Sequence, residues 1–326
     1  MKRGVLLFNL GGPETLADVR PFLFNLFSDP DIIHIKSDVL RKLLAWLIAT
    51  IRQGKSRDLY RQIGGGSPLR RITEEQASAL ESSLSLRNMP ASVYVGMRCW
   101  KPSIDDAVSQ ILKDKIEQLV LLPLFPQYSV TTTGSCLKYF QVLNNRLGLS
   151  SKMKISAIES WFDEPLYIES MVNLIEEALE DFSRTEDGNI HLLYSAHSIP
   201  ASYVEQGDPF LKQTEASVEL INSQLENRYT SRLAFQSKVG PVKWLGPSTR
   251  DVLVDIGRRK GSKVLAVPIS FVSDHIETLQ EIDIQYKDLA AELGIKDFRR
   301  AASLNLHQSF ISALANLAVR KFSELQ

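Results

Sequence analysis

The chain has 326 residues, 44% of them hydrophobic and 23% charged, which is ordinary globular composition and more length than one core usually serves. Its 38 basic residues balance 38 acidic ones, so nothing in the net charge calls for nucleic acid or an acidic partner. The two cysteines, Cys99 and Cys136, have no metal-type spacing and cannot build a disulfide framework, which fits a reducing compartment.

Val5 to Leu10 is a short apolar run that stops at Gly11-Gly12-Pro13, short of the roughly 7 to 15 apolar positions of a signal peptide. No stretch reaches the roughly 18 apolar residues of a membrane span, so a cytoplasmic location is expected. Gly4 to Leu10 reads as a strand, and Gly11 to Thr15 as the opening of a helix to about Phe27, with Pro13 in its first turn. Val39 to Ile51 is the most apolar helical stretch of the first half and is followed by Arg52, Lys55 and Arg57. It reads either as a buried core helix or as a lip lying on a membrane, with Trp46 at headgroup level and the cations against anionic lipid.

Ile63-Gly-Gly-Gly-Ser-Pro68 lacks the Gly-Lys-Ser/Thr of a phosphate loop and reads as a sharp turn or a close backbone approach. A helix from about Thr73 to Leu86, a strand Val93 to Gly96 with Arg98 just beyond it, a helix from Ser103, a strand Leu119 to Phe125 and a polar turn Gln127 to Ser135 follow. Alternation of this kind predicts an α/β protein with a parallel sheet between helices.

The second half repeats the first. Pro102, Ser103, Asp106 and Pro123 recur as Pro247, Ser248, Asp251 and Pro268 at a constant spacing of 145 residues. Val5-Leu-Leu-Phe8 recurs as His191-Leu-Leu-Tyr194 at a spacing of 186, the excess being an insertion in the first half. The expectation is two similar Rossmann-like domains with a ligand cleft between them: residues 1–155, with a lip insertion at about 28–70, and residues 156–305. A last amphipathic helix, 306–326, is expected to pack back on the body. In this alignment Gly11 corresponds to His197, and the uncharged turn Ser129 to Thr133 to the charged Asp274 to Glu277.

That charged segment follows the apolar run Val264 to Phe271 and sits where open α/β sheets bind ligands. If a helix starts near Ser273, Asp274, Glu277 and Glu281 form one carboxylate stripe, able to bind a cation or relay protons, or simply to be solvated near a helix N-terminus. Of five histidines, His191 reads as structural within a strand, and His34 and His307 have no partner in sequence. His197 ends a strand in Ser195-Ala-His-Ser198, and with His275 and the acids it suits proton transfer near neutrality.

The chain closely resembles the ferrochelatases, which insert ferrous iron into a porphyrin. The resemblance rests on Asn9-Leu-Gly-Gly-Pro-Glu-Thr15, Ile63 to Pro68, Pro126-Gln-Tyr-Ser129 with Thr132-Thr-Gly134, Ser195 to Ser198, Gln236 to Pro241 with Trp244-Leu-Gly-Pro247, and Ser273 to Leu279 with Glu281 and Asp283. It implies His197 as the catalytic histidine with Glu277 opposite, both candidates to touch iron, and Asp274, His275 and Glu281 as an acidic path. It also implies Leu10, Tyr60, Arg98, Tyr128, Ser129 and Trp244 near the porphyrin. The implied reaction bends the macrocycle, admits iron and releases two N–H protons, with His197 accepting them.

Three departures matter: Gln285 stands where many members carry a further acid, Cys99 where an aromatic commonly follows the arginine, and no cysteine follows Cys136. No [2Fe–2S] cluster and no permanently bound cofactor are therefore expected, with iron entering as substrate. Protoporphyrin IX is the expected porphyrin, and a peripheral contact through residues 39–51 is the expected membrane partner. A coproporphyrin III ferrochelatase, a cobalt chelatase and a non-catalytic porphyrin or haem carrier are the alternatives.

Overall fold

The structure, a computed structural model, describes residues 1–183, 189–238, 242–259 and 262–325. The Val239 to Pro241 end of one motif quoted above lies outside them. The chain divides into two compact units, Met1–Trp161 with Ile311–Gln326, and Phe162–Phe310.

In the first unit, β1 (Arg3–Asn9), β2 (Ser92–Met97), β3 (Gln118–Pro123) and β4 (Lys154–Ala157) form a parallel sheet in the order β2-β1-β3-β4. In the second, β5 (Ile190–His197), β6 (Thr230–Gln236), β7 (Lys263–Pro268) and β8 (Asp297–Arg300) form a parallel sheet in the order β6-β5-β7-β8. The central strands β3 and β7 are buried at every position, which is why they read as unbroken apolar runs.

The repeat is carried by local chemistry as well as by order. Ser103 Oγ accepts the Asp106 N–H at 3.1 Å and starts the helix Ile104–Lys113, and Ser248 Oγ accepts the Asp251 N–H at 3.1 Å and starts Thr249–Gly257. Just before each cap, Met97 N–H donates to Pro102 O at 2.7 Å and Phe235 N–H to Pro247 O at 3.0 Å. These contacts make Arg98, one place beyond the end of β2, and Gln236, the last residue of β6, the corresponding residues.

The first core gathers Leu6, Phe8, Ile104, Val108, Leu119 and Phe140, and the second Leu193, Leu253, Val264, Ile282 and Phe298. The first unit runs beyond residue 155 because the Trp161 indole N–H donates to Pro123 O at 2.8 Å and its backbone N–H to Pro126 O at 2.9 Å. The last helix, Gln308–Glu324, returns to that unit: Gln118 Nε2 donates to Leu325 O at 3.2 Å, and the Arg3 guanidinium lies 5.9 Å from the Phe322 ring centre.

Several local expectations change. The first helix is Val19–Ser28, because Thr15 donates its N–H and hydroxyl to Asp18 Oδ2 at 2.9 and 2.7 Å and makes a turn of that segment. The polar turn after β3 contains a π-helical turn, Val130–Gly134, capped by Ser129. The Gly-rich turn approaches its own chain, since a Cβ on Gly66 would lie 2.0 Å from Glu14 O, and Ser67 N–H donates to Pro13 O at 2.7 Å.

The apolar helix spans Asp38–Gln62 and is inside out relative to a core helix. Its buried line is Arg41, Ala45 and Ala49, at helical spacing, while Val39, Leu43, Trp46 and Ile51 are exposed, Val39 at 76% and Ile51 at 70%. Arg41 is buried because it is paired: Nε donates to Ser28 O at 2.9 Å, Nη1 to Ile35 O at 2.8 Å, and Nη2 meets Asp38. Reading this stretch as a core helix is therefore overturned. Among the described residues no helix is long and apolar enough to cross a membrane.

Candidate active site

The second unit collects the catalytic candidates at the C-terminal ends of β5, β6 and β7. His197 is the last residue of β5, and its N–H donates to Ser270 Oγ at 2.9 Å in the turn after β7. Glu277 opens a π-helix, Glu277–Tyr286, a wider helical form frequent at functional sites. Its carboxylate Oε2 lies 2.9 Å from His197 Nδ1 and 3.7 Å from His275 Nε2. His275 Nδ1 is 3.0 Å from Ser273 O, and since a carbonyl only accepts, Nδ1 carries the proton there. Phe271 packs near both imidazoles, its ring centre 6.5 Å from His197 and 4.7 Å from His275.

These contacts set the chemistry of His197. With Nδ1–H donating to Glu277, the lone pair sits on Nε2, and the side chain keeps 41% of its surface open. Burial opposes charge on the ring, but the Glu277 carboxylate and, beyond it, Glu281 favour it, so the pKa is raised from the ordinary histidine value. Burial likewise opposes charge on Glu277, yet His197 and His275 hold its carboxyl well below the usual range. The pair is an oriented base with a permanent counter-charge, the arrangement that lets an imidazole accept a proton near neutrality.

The carboxylate stripe does not form as one line, because the helix starts at Glu277 and leaves Asp274 in the turn before it. Asp274 faces Arg300, with Nη1 at 3.1 Å, and accepts from Thr278, Ser303 and Asn305 at 3.0, 2.8 and 2.8 Å. Burial works against its charge, and Arg300 with those three donors holds it below the usual range all the same. Arg300 also grips Asp283 through Nε and Nη2, both at 2.8 Å. Asp274 and Asp283 thus share one guanidinium.

Glu281 is saturated in another way. Ser237 N–H and Tyr286 O–H each donate to Oε1 at 2.9 Å, Gln236 Nε2 donates to Oε2 at 2.9 Å, and Ser237 O–H also reaches Oε2. Gln236, Ser237 and Tyr286 carry no charge and no metal-type spacing, so residue chemistry alone does not single them out. Among the described residues no group of three or more His, Cys, Asp or Glu is arranged to hold a metal ion.

The residues expected near a porphyrin fall in both units. In the first, Arg98 follows β2 with its Nη2 3.0 Å from Asp29, its Nε donating to Ser135 Oγ at 2.8 Å, and its guanidinium 4.5 Å from the Tyr139 ring centre. Asp29, which sequence reasoning missed, is buried and is also held by the Ser135 hydroxyl at 2.6 Å. Ser129 is buried as the cap of its π-helical turn, and Tyr128 packs so closely that a Cβ on Gly134 would meet its hydroxyl at 2.8 Å. Leu10 follows β1 and accepts the Cys99 N–H at 2.9 Å, and Tyr60 is buried near the end of the Asp38–Gln62 helix. Cys99 and Cys136 are buried free thiols, and burial pushes Cys99 up to about 12. In the second unit Trp244 bridges to Pro200, just after His197, and its indole N–H has no partner among the described residues.

In fold the chain resembles the chelatase SirB from Bacillus subtilis, solved with Fe3+, at a TM-score of 0.60 and 13% identity over 100% of this chain and 98% of that one. In sequence it is 48% identical to a ferrochelatase of Gloeothece citriformis, covering 98% of this chain and 83% of that protein. It is 49% identical to one of Synechococcus elongatus, over 96% and 81%, and 49% identical to the chloroplastic/mitochondrial ferrochelatase-1 of Arabidopsis thaliana, over 98% and 69%. The ferrochelatase family model matches residues 2–322. With two four-stranded parallel sheets and agreement along nearly its whole length, the chain belongs to the ferrochelatase family.

Proposed function

We propose that the protein inserts ferrous iron into protoporphyrin IX, giving protohaem and two protons, with His197 as proton acceptor and Glu277 as its partner. The observation that carries this reading is the His197–Glu277 contact of 2.9 Å with Nε2 left open. Replacing two pyrrolic protons by one divalent cation requires a base at the ring face, and an imidazole made more basic by a carboxylate meets that need. Glu277 and His197 are the groups that would touch iron in transit, and His275, fixed by Ser273, supports Glu277 from the other side.

Leu10, Tyr60, Arg98, Tyr128, Ser129 and Trp244 are assigned to porphyrin contact on the family resemblance. Asp274 and Glu281 are weaker candidates for an iron path than a bare stripe of acids suggests, because each is already satisfied by donors. The exposed face of Asp38–Gln62 is assigned to a membrane surface, from which an apolar porphyrin can be taken up and into which haem can be released. That face carries Val39, Leu43, Trp46, Leu47 and Ile51, and Arg20 lies 5.7 Å from the Trp46 ring centre.

The test is an anaerobic assay of the purified chain with ferrous iron and either protoporphyrin IX or coproporphyrin III, following the absorbance change from free base to haem. His197→Ala is expected to bind porphyrin and to lose insertion by about 100-fold or more. Normal turnover in that variant removes His197 from the mechanism. Insertion into coproporphyrin alone changes the substrate, and binding with no insertion into either turns the reading to a carrier.

A further inference from the structure

We infer that Gln236 is a positioning residue for this reaction, pinning the His197 and Glu277 elements to each other. The inference rests on the proposed iron insertion and adds a residue whose chemistry alone gives it no role. Gln236 ends β6, lies opposite His197 in the strand register, and its backbone carbonyl accepts the Ser198 N–H at 2.9 Å. Its side chain turns the other way, where Nε2 donates to the Glu277 backbone carbonyl at 3.0 Å and to Glu281 Oε2 at 2.9 Å. One buried residue therefore holds the chain beyond His197 with its backbone and the start of the Glu277 helix with its amide.

Two further observations support this. Ile276, before the Glu277–Tyr286 helix, makes no side-chain cap, and the bonds of Thr278 to Asp274 and His275 fix the helix start only from its own side of the chain, so Gln236 is what ties it to β6. The Gln236 amide cannot flip, because Oε1 accepts the Ser195 hydroxyl at 2.6 Å and both partners of Nε2 only accept. Ser195 is fixed in turn by Thr249, hydroxyl to hydroxyl at 2.9 Å. All three side chains are buried, so the relay is rigid and dry. In the first unit the corresponding residue, Arg98, reaches Ser135 just after the π-helical turn Val130–Gly134, so in both halves the residue at the end of the second strand is bonded to the π-helical segment that follows the third.

The experiment compares wild type, Gln236→Ala, Gln236→Glu and Ser195→Ala in the anaerobic insertion assay, with porphyrin binding and thermal unfolding alongside. Gln236→Ala is expected to lower kcat by about 10-fold, the usual cost of losing a supporting hydrogen bond, while KM for porphyrin stays within about twofold. Gln236→Glu keeps the side chain's shape and its acceptor for Ser195 but removes the amide donor, so it is expected to stay impaired, whereas a packing role would be restored by it. Ser195→Ala frees the amide without touching Glu277 and is expected to lower kcat in the same direction by a smaller factor, which keeps the test open if Gln236→Ala does not fold. A kcat equal to wild type in Gln236→Glu or in Ser195→Ala overturns the inference, as does a rise in KM with kcat unchanged. Failure of the wild type to insert iron overturns the proposed function instead, so the two failures are distinguishable.

Discussion

The two halves of this protein share strand order, helix caps and a π-helical segment after the third strand, yet they use the same places in opposite ways. At the strand ends of the first unit the polar groups close on one another: Arg98 with Asp29 and Ser135, and Asn9 with Thr73 at 3.1 Å. In the second unit Glu277 is ringed by His197 and His275, and among the described residues the outer nitrogen of His197 has no partner. Satisfied polar clusters hold a frame, whereas an oriented base with one open position is available for proton transfer, and the frame itself does not decide which is present.

Substitutions at the matching places are expected to fail in different assays. The largest effect is at Glu277: Glu277→Gln is expected to lower iron insertion by about 100-fold or more, measured as kcat, with little change in thermal unfolding. The pH profile has a definite sign. Because the Glu277 carboxylate raises the His197 pKa, wild-type activity falls as pH drops through that raised value and the ring protonates. Without the carboxylate only Glu281 still opposes burial, the pKa falls, and the acid limb of Glu277→Gln moves to lower pH.

Arg98→Ala is expected to show the reverse pattern, losing stability by about 3–5 kcal/mol because a buried Asp29 is left unpaired. The measurement is thermal or denaturant unfolding, and a change below about 1 kcal/mol would place Arg98 outside the frame and favour its porphyrin role alone. Asp38–Gln62 offers a further contrast within the first unit, since it buries a paired arginine and two alanines and exposes its large apolar side chains. Trp46→Asp is expected to weaken liposome binding by about 10-fold or more in flotation, the effect of withdrawing one large apolar side chain. Unchanged flotation would assign that face to something other than lipid.

The smallest effect separates two histidines of one strand. His191, at the buried start of β5, is 1% exposed, neither ring nitrogen has a partner among the described residues, and burial with Arg259 and Arg232 nearby lowers its pKa. A depressed histidine takes up its proton on unfolding, so it costs stability as pH falls below about 6.5, the value in the unfolded chain. His197 acts oppositely, since its raised value adds stability that is present below about 6.5 and lost as pH rises through the folded pKa. His191→Leu is expected to flatten the acid-side loss of stability in denaturant midpoints taken across that range. An unaltered acid slope would show that His191 stays neutral for another reason.

Much of this was legible in the chain, and for identifiable reasons. Apolar runs such as Val264 to Val267 mark central parallel strands because both faces are covered. The spacing of 145 residues between Ser103-Asp106 and Ser248-Asp251 marks a repeat because a helix cap is a local bond between neighbours in sequence. His197 stood out at a strand end, and His275 and Glu277 in the charged segment that follows an apolar run, all three in recognisable motifs. Properties set by neighbours in sequence can be read from sequence.

What tertiary structure alone decided are the partners that come from far along the chain. Asp274, Glu277 and Glu281 look alike as acids at helical spacing, and Arg300, His197 and the Ser237 turn give them three different states. The apolar stretch Val39 to Ile51 suits a core or a membrane equally until Arg41 is seen to find its acceptors at Ser28 and Ile35, which turns the apolar side outward. Gln236 carries no signal of its own and takes its place only because β5, β6 and the π-helix meet around its amide. Hydrophobic pattern and caps are properties of a segment, whereas the state of a buried polar group belongs to whatever the fold sets beside it.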